Sequence, residues 1–142
     1  MDNIEVSQSE AEAHFIRQKL NEFNFRLVPP DNHETLNLVV RRENALIAGL
    51  VGDTYWNWFY ISLFWVDECE RSLGLGSQIL SKAEEIAVQR GCKNAHLETH
   101  DFQSLGFYQK RGYVIFGKLE GLPEGHTKYY LRKHLSESSI EK

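Results

Sequence analysis

Cysteine is scarce in this chain of 142 residues, which contains only Cys69 and Cys92. The two residues have neither the spacing of a metal site nor the arrangement of a disulfide framework. Unpaired, reduced thiols are typical of proteins in a reducing compartment. We therefore expect no metal centre, no disulfide scaffold and a cytoplasmic location.

Basic residues are not in excess, because sixteen Lys and Arg stand against twenty Asp and Glu, which gives a formal charge of −4. Proteins that bind nucleic acid use an excess of basic side chains to neutralise phosphates. The charge therefore argues against a nucleic-acid partner. It is only a weak indication of a cationic ligand, because a small negative charge also serves solubility.

Long apolar runs are also missing. The most apolar stretch, Trp58–Val66, is too short to cross a bilayer and is interrupted by Ser62. Residues 1–5 are acidic and lack the basic start and apolar stretch of a signal peptide. We expect neither membrane insertion nor export.

The length and the hydrophobic content of 42% fit one globular domain, and no repeat or low-complexity tract divides the chain. We predict a single domain over residues 1–135 and a disordered tail over residues 136–142. Hydrophobic periodicity predicts helices from Ser7 or Ser9 to residue 24, over residues 74–90 and over residues 103–111. Alternating apolar residues predict strands over residues 35–41, 45–55, 59–66, 94–99, 113–119 and 126–135.

The order of these elements determines the fold class. The first three strands are joined by short connections and predict an antiparallel meander. Strand, helix and strand over residues 59–99 form a βαβ unit, so that part of the sheet is parallel. A second helix and a terminal hairpin follow. We therefore predict an α+β fold, a mixed α/β arrangement in three layers.

The loop at residues 66–77 indicates a binding site for an anion. Gly74 and Gly76 let the backbone turn sharply where a long helix begins, so that unpaired N–H groups converge on one point. A dinucleotide fingerprint would need a third glycine where Ile79 stands. A P-loop would need a lysine after Gly76, where Ser77 stands.

Two motifs together carry a resemblance to a known family. Arg71-x-x-Gly74-x-Gly76 resembles the acyl-CoA pyrophosphate loop of the GNAT superfamily of N-acyltransferases. The segment Phe107-Tyr108-x-x-x-Gly112-Tyr113 resembles its Phe-Tyr-x-x-x-Gly-Phe/Tyr signature. The resemblance covers roughly residues 35–135. The final segment resembles small bacterial acetyltransferases whose substrates are mostly unassigned.

The resemblance implies acetyl-CoA as cosubstrate, no metal, and direct acetyl transfer to a primary amine of a small molecule or peptide. The residues that it assigns to the cosubstrate are Trp65, Val66, Arg71, Ser72, Leu73, Gly74, Leu75, Gly76 and Ser77. In such an enzyme a splay between the strands at 59–66 and 94–99 admits the thioester. A backbone N–H near Val66 polarises the acetyl carbonyl.

The same resemblance makes Tyr108 the general acid for the leaving thiolate. Glu68, just beyond the end of a strand, is a candidate general base, with His96, His100 and His126 as alternatives. Family members often have Asn seven positions before the tyrosine, where this chain has Asp101. An ionised carboxylate cannot donate a hydrogen bond, so the role of that Asn does not carry over directly.

Two other classes of function remain open on the sequence: a CoA-binding regulatory module without catalysis, and a purely structural interaction domain. The aromatic cluster at residues 55–60 also allows alternatives. It could pack in the core, form a wall of the substrate site or form a homodimer surface.

Overall fold

A computed structural model describes residues 2–136, and its internal contacts divide it into two units, one that ends at Asp31 and one that begins at Asn32. The first unit contains helix α1, Glu10–Leu27. The hydroxyl oxygen of Ser9 caps this helix by accepting a hydrogen bond from the amide of Glu12 at 3.2 Å. The predicted helix is therefore confirmed, with Ser9 as its cap. The single domain over residues 1–135 stays a prediction.

The second unit is a sheet of seven strands with two further helices. The strands are β1 Glu34–Thr35, β2 Leu38–Arg42, β3 Ala45–Tyr55, β4 Trp58–Val66, β5 Asn94–His100, β6 Val114–Glu120 and β7 Thr127–His134. The helices are α2, Leu75–Gln89, and α3, Leu105–Lys110. The mixed α+β class predicted from the sequence is confirmed. Apart from Ser136, the tail predicted at 136–142 lies outside the described residues.

The meander contains one difference from prediction, because the first strand is divided into β1 and β2, which both pair with β3. At the break, the amide of Leu36 donates to the carbonyl of Gly52, and the amide of Gly52 lies 3.3 Å from the side-chain oxygen of Asn37. A Cβ on Gly52 would lie 2.6 Å from the carbonyl oxygen of Tyr60. The backbone of β4 therefore approaches Gly52 so closely that only glycine fits there.

The predicted βαβ unit is confirmed, with β4 and β5 parallel and α2 between them in the chain. The terminal hairpin is also present, but it folds back so that β7, not β6, pairs with β5. Side chains of α2 at helical spacing are buried with those of the sheet, as the sequence predicts. These are Ile79, Leu80, Ala83 and Ala87.

No helix in residues 2–136 combines the length and the apolar character needed to cross a membrane. The aromatic cluster at residues 55–60 divides between the two faces of the sheet. Phe59 is fully buried in the core, whereas Tyr55, Trp58 and Tyr60 are half-buried.

Candidate active site

A β-bulge in β4 creates the opening of the site. Val51 pairs with Leu63 and Gly52 pairs with Ile61, so Ser62 is an extra residue in β4. Its hydroxyl donates to the carbonyl of Val51 at 3.0 Å. Pairing of β4 with β5 ends at Ile61, although both strands continue. The splay that the family resemblance implies is therefore present, and it leaves one edge of β4 without a strand partner.

A cleft of about 730 Å³ lies beside the free part of β4. It is bordered by β4, by the loop that leads into α2 and by α3 with the connection before it. The lining residues are Phe64, Trp65, Val66, Glu70, Arg71, Ser72, Gly74, Gly76, Ser77, Phe102, Gln103, Ser104, Phe107, Tyr108 and Arg111. The structure thus brings together the two motifs that the sequence singled out.

The loop before α2 has the geometry of an anion site. Ser72 and Gly74 have φ of 74° and 79°, which turns the chain sharply, and no side chain caps the helix. The first helical hydrogen bond is donated by Gln78 to the carbonyl of Gly74, so the amides before it have no partner within the helix. The Nε of Arg71 donates to the carbonyl of Val66 at 2.9 Å and closes the loop. A pyrophosphate group fits these donors and the positive end of the helix dipole.

Tyr108 lies on α3 with only 6% of its surface exposed. Its ring packs against Phe64, Phe107 and Tyr113, with centroids 6.4, 5.3 and 5.8 Å away. Within residues 2–136 its hydroxyl makes no hydrogen bond, so the hydroxyl is available to a molecule in the cleft. Burial raises the pKa of Tyr108 to about 12. It therefore remains protonated throughout the neutral range.

Three residues that the sequence assigned to the cosubstrate or, in the case of Glu68, to catalysis do not line the cleft, and neither do the alternative bases His96, His100 and His126. Glu68 is exposed on the short 3-10 helix Glu68–Glu70. Leu73 is 70% exposed, and Leu75 packs against the core. Glu68 therefore does not border the cleft that Tyr108 lines.

Two charged residues of the cleft were missed by the sequence reasoning. Glu70 is bound by Arg42 of β2, 28 residues away in the chain, and no local pattern signals such a pair. Arg111 stacks on Phe107, with its guanidinium carbon 4.0 Å from the ring centre, and its buried Nε makes no hydrogen bond within residues 2–136. The only indication of Arg111 in the sequence was its position three residues after Tyr108.

The candidate histidines lie in two places. His96 is stacked on Tyr60, and its Nε2 lies 3.2 Å from the hydroxyl of Tyr55. Burial lowers the pKa of His96. Beside it, the hydroxyl of Tyr60 donates to Glu98 at 2.6 Å, another contact that the sequence reasoning missed.

His100 and His126 both contact the ring of Phe102, with centroids 5.0 Å away in each case. They lie where β5 ends and β7 begins. In residues 2–136, no group of three or more His, Cys, Asp or Glu is arranged to hold a metal ion.

Comparison with known proteins identifies the family of this chain. Residues 4–113 match the model of the acetyltransferase (GNAT) family. A blasticidin-S acetyltransferase of Streptomyces morookaense is 42% identical over 91 residues, which cover 63% of this chain and 67% of that protein.

Two solved structures are similar over most of the chain. An acetyltransferase from Bacillus cereus is 33% identical with a TM-score of 0.87, and the match covers 94% of this chain and 98% of that one. A streptothricin acetyltransferase from Bacillus anthracis, solved with acetyl coenzyme A, is 26% identical with a TM-score of 0.64. That match covers 80% of this chain and 68% of that one. The chain therefore belongs to the GNAT family of acetyltransferases, enzymes that move an acetyl group from acetyl-CoA to an amine.

Proposed function

We propose that this enzyme acetylates a primary amine of a small cationic molecule, with Tyr108 as the general acid. The observation that carries the proposal is that Tyr108 and the uncapped start of α2 line the same cleft. The start of α2 suits the phosphates of acetyl-CoA, and Tyr108 adds a buried, protonated hydroxyl to the same cleft. An acid that faces the thioester sulfur can protonate the leaving thiolate.

The binding roles follow from the lining residues. The amides at the start of α2, with Arg71 and Ser72 before them, hold the pyrophosphate. The free edge of β4 at Trp65 and Val66 pairs with the pantetheine arm, as an added strand would. Arg111 is assigned a contact with a phosphate, because its guanidinium borders the cleft.

Three observations support a small, cationic acceptor. The blasticidin-S acetyltransferase relative is named for a small molecule, and this chain carries a net charge of −4. Acidic and aromatic side chains also lie on the sheet next to the splay, where Glu98 is bound by Tyr60, and Asp53, opposite Tyr60, is bound by His33. Carboxylates and aromatic rings together suit an ammonium group.

The test is release of CoA thiol from acetyl-CoA with a panel of amines. The panel contains blasticidin S, a streptothricin, spermidine and a short peptide with a free amino terminus and a lysine. We expect at least one cationic small molecule to be acetylated, and Tyr108→Phe to lower kcat roughly 10- to 100-fold. Tyr130→Phe is the matched control, because Tyr130 does not line the cleft, and it should behave as wild type. Tight CoA binding without thiol release from any amine would overturn the proposal.

We also propose a cytoplasmic homodimer. Both cysteines are free, which suits a reducing compartment. Strand β6 is at the end of the sheet and exposes Val114, Ile115 and Phe116. An apolar edge strand of this kind is a surface for a second copy. Light scattering should give twice the mass of the chain, and Phe116→Asp should give a monomer.

A further inference from the structure

Asp101 and His126 form a hydrogen-bonded pair where β5 ends and β7 begins. The Nδ1 of His126 lies 2.8 Å from Oδ1 of Asp101, and the amide of Thr127 donates to Oδ2 at 3.0 Å. Partial desolvation works to raise the pKa of Asp101, but the hydrogen bonds from His126 and Thr127 outweigh it and the pKa is lowered. The carboxylate is thus held ionised and fixed in orientation.

This arrangement determines which nitrogen of His126 can accept a proton. Because only a donor can face an ionised carboxylate, Nδ1 carries the hydrogen and Nε2 carries the lone pair. Within residues 2–136 that nitrogen makes no hydrogen bond, and the side chain is 45% exposed. A carboxylate that orients an imidazole in this way is the arrangement of a general base.

The pair lies beside the cleft. Phe102 lines the cleft, and its ring meets that of His126 edge to face at 5.0 Å. Because β5 leaves β4 beyond Leu97, the end of β5 at Asp101 borders the splay through which an acceptor reaches the thioester. The candidate histidines on β5 have other partners: Nε2 of His96 lies within hydrogen-bond distance of Tyr55, and Nδ1 of His100 lies 3.1 Å from a side-chain oxygen of Gln103.

We propose that the Asp101–His126 pair accepts the proton of the acceptor ammonium, an inference that rests on the proposed function. Nε2 of His126 takes one proton from R–NH₃⁺, and the neutral amine attacks the carbonyl carbon of the acetyl group. The new C–N bond forms and the C–S bond breaks. The second proton lost by the nitrogen passes to the CoA thiolate by way of Tyr108, and His126 returns its proton to water. The net products are the amide, free CoA thiol and one proton.

Other titratable groups surround the pair. His100 stands next to Asp101 on β5, and Lys128 is its register partner on β7. Glu124 lies in the connection that carries His126. None of these is hydrogen-bonded to His126 in the described structure, so the carboxylate of Asp101 is its dominant partner.

The experiment measures the pH dependence of kcat/KM for the amine of the panel that is acetylated fastest, between pH values of about 5 and 9. We expect His126→Asn to lower kcat/KM by roughly 100-fold or more and to remove the fall in rate on the acidic side. Asn keeps a donor toward Asp101, and the KM for acetyl-CoA should stay close to that of wild type. Asp101→Asn should also lower kcat/KM, because the imidazole loses the carboxylate that fixes its tautomer and orientation.

His134→Gln is the matched control. His134 ends β7, the strand that His126 directly precedes, and its Nδ1 lies 3.3 Å from a side-chain oxygen of Asn94 on β5. Its rate and pH profile should match wild type. A His126→Asn enzyme with an unchanged profile would overturn the inference and leave the proposed function standing. Loss of the acidic limb in Glu98→Gln instead would also overturn it. No transfer to any amine would refute both.

Discussion

The guanidinium of Arg42 donates two hydrogen bonds to the carboxylate of Glu70, from Nη2 to Oε2 at 3.1 Å and from Nη1 to Oε1. This hydrogen bonding and the charge of Glu70 raise the pKa of Arg42. Glu70 is only 9% exposed and lines the cleft next to the loop that we assign to the phosphates. The pair therefore keeps the negative charge of Glu70 compensated next to the loop that we propose for the phosphates.

Removal of Arg42 should weaken the binding of acetyl-CoA more than it slows the reaction. In Arg42→Ala the carboxylate of Glu70 is left uncompensated and repels the phosphates, so we expect the KM for acetyl-CoA to rise about tenfold with kcat changed little. Arg42→Lys should restore part of the affinity. Arg41→Ala, at the exposed neighbouring position on β2, is the control. Equal KM values for the two alanine variants would show that the pair does not support the loop.

Substitution of Gly74 should destabilise the protein because of the left-handed backbone conformation of this residue, although there is space for a side chain. Its φ is 79°, and a Cβ there would meet nothing within 4 Å. Gly74→Ala should therefore cost about 1–2 kcal/mol from the left-handed conformation and also weaken CoA binding, because the amides at the start of α2 shift. Gly106→Ala on α3 is the matched change, since it has open space and no positive φ. It should raise stability by up to about 1 kcal/mol. Urea denaturation and CoA titration measure both effects.

The sequence predicted best what depends on neighbouring residues. Both ends of strand β3 were predicted correctly because a turn lies directly beside each end. The turn residues are Glu43 and Asn44 before the strand and Trp56 and Asn57 after it, and all four have positive φ. The break between β1 and β2 was missed because the side chain of Asn37 meets an amide of β3 that stands 15 residues later. Alternation of residue types carries no information about such a contact.

The same limit applies to the site. Both motifs lie within short segments, and each was read from local spacing. The Arg42–Glu70 and Asp101–His126 pairs join residues 28 and 25 positions apart, and they exist only because β2 pairs with β3 and β7 returns beside β5. The general base was therefore sought at Glu68, just beyond the end of a strand, although that side chain lies outside the cleft lining.

Glu84 should be the most sensitive charged residue of α2. It is 6% exposed, it accepts a hydrogen bond from the hydroxyl of Tyr113, and it forms an ion pair with Lys133, each at 2.8 Å. Glu84→Ala leaves both partners buried without a carboxylate, so the free energy of unfolding should fall by about 3–5 kcal/mol. Glu85→Ala, one residue later and paired with Lys82 at 4.0 Å, should change it by less than about 1 kcal/mol. Similar denaturation midpoints for both variants would contradict the assignment.

Tyr108 should make the folded protein sensitive to alkali. Burial raises its pKa to about 12, whereas a tyrosine in the unfolded chain ionises near pH 10. Between pH values of about 10 and 12 the unfolded state has lost a proton that the folded state retains, so stability falls as the pH rises through this window. The slope from this group alone should be about −1.4 kcal/mol per pH unit. Across this pH window, the unfolding free energy of Tyr108→Phe should fall less steeply than that of the wild type, by about 1.4 kcal/mol per pH unit. An equal slope in both proteins would mean that Tyr108 ionises alike in the folded and unfolded states.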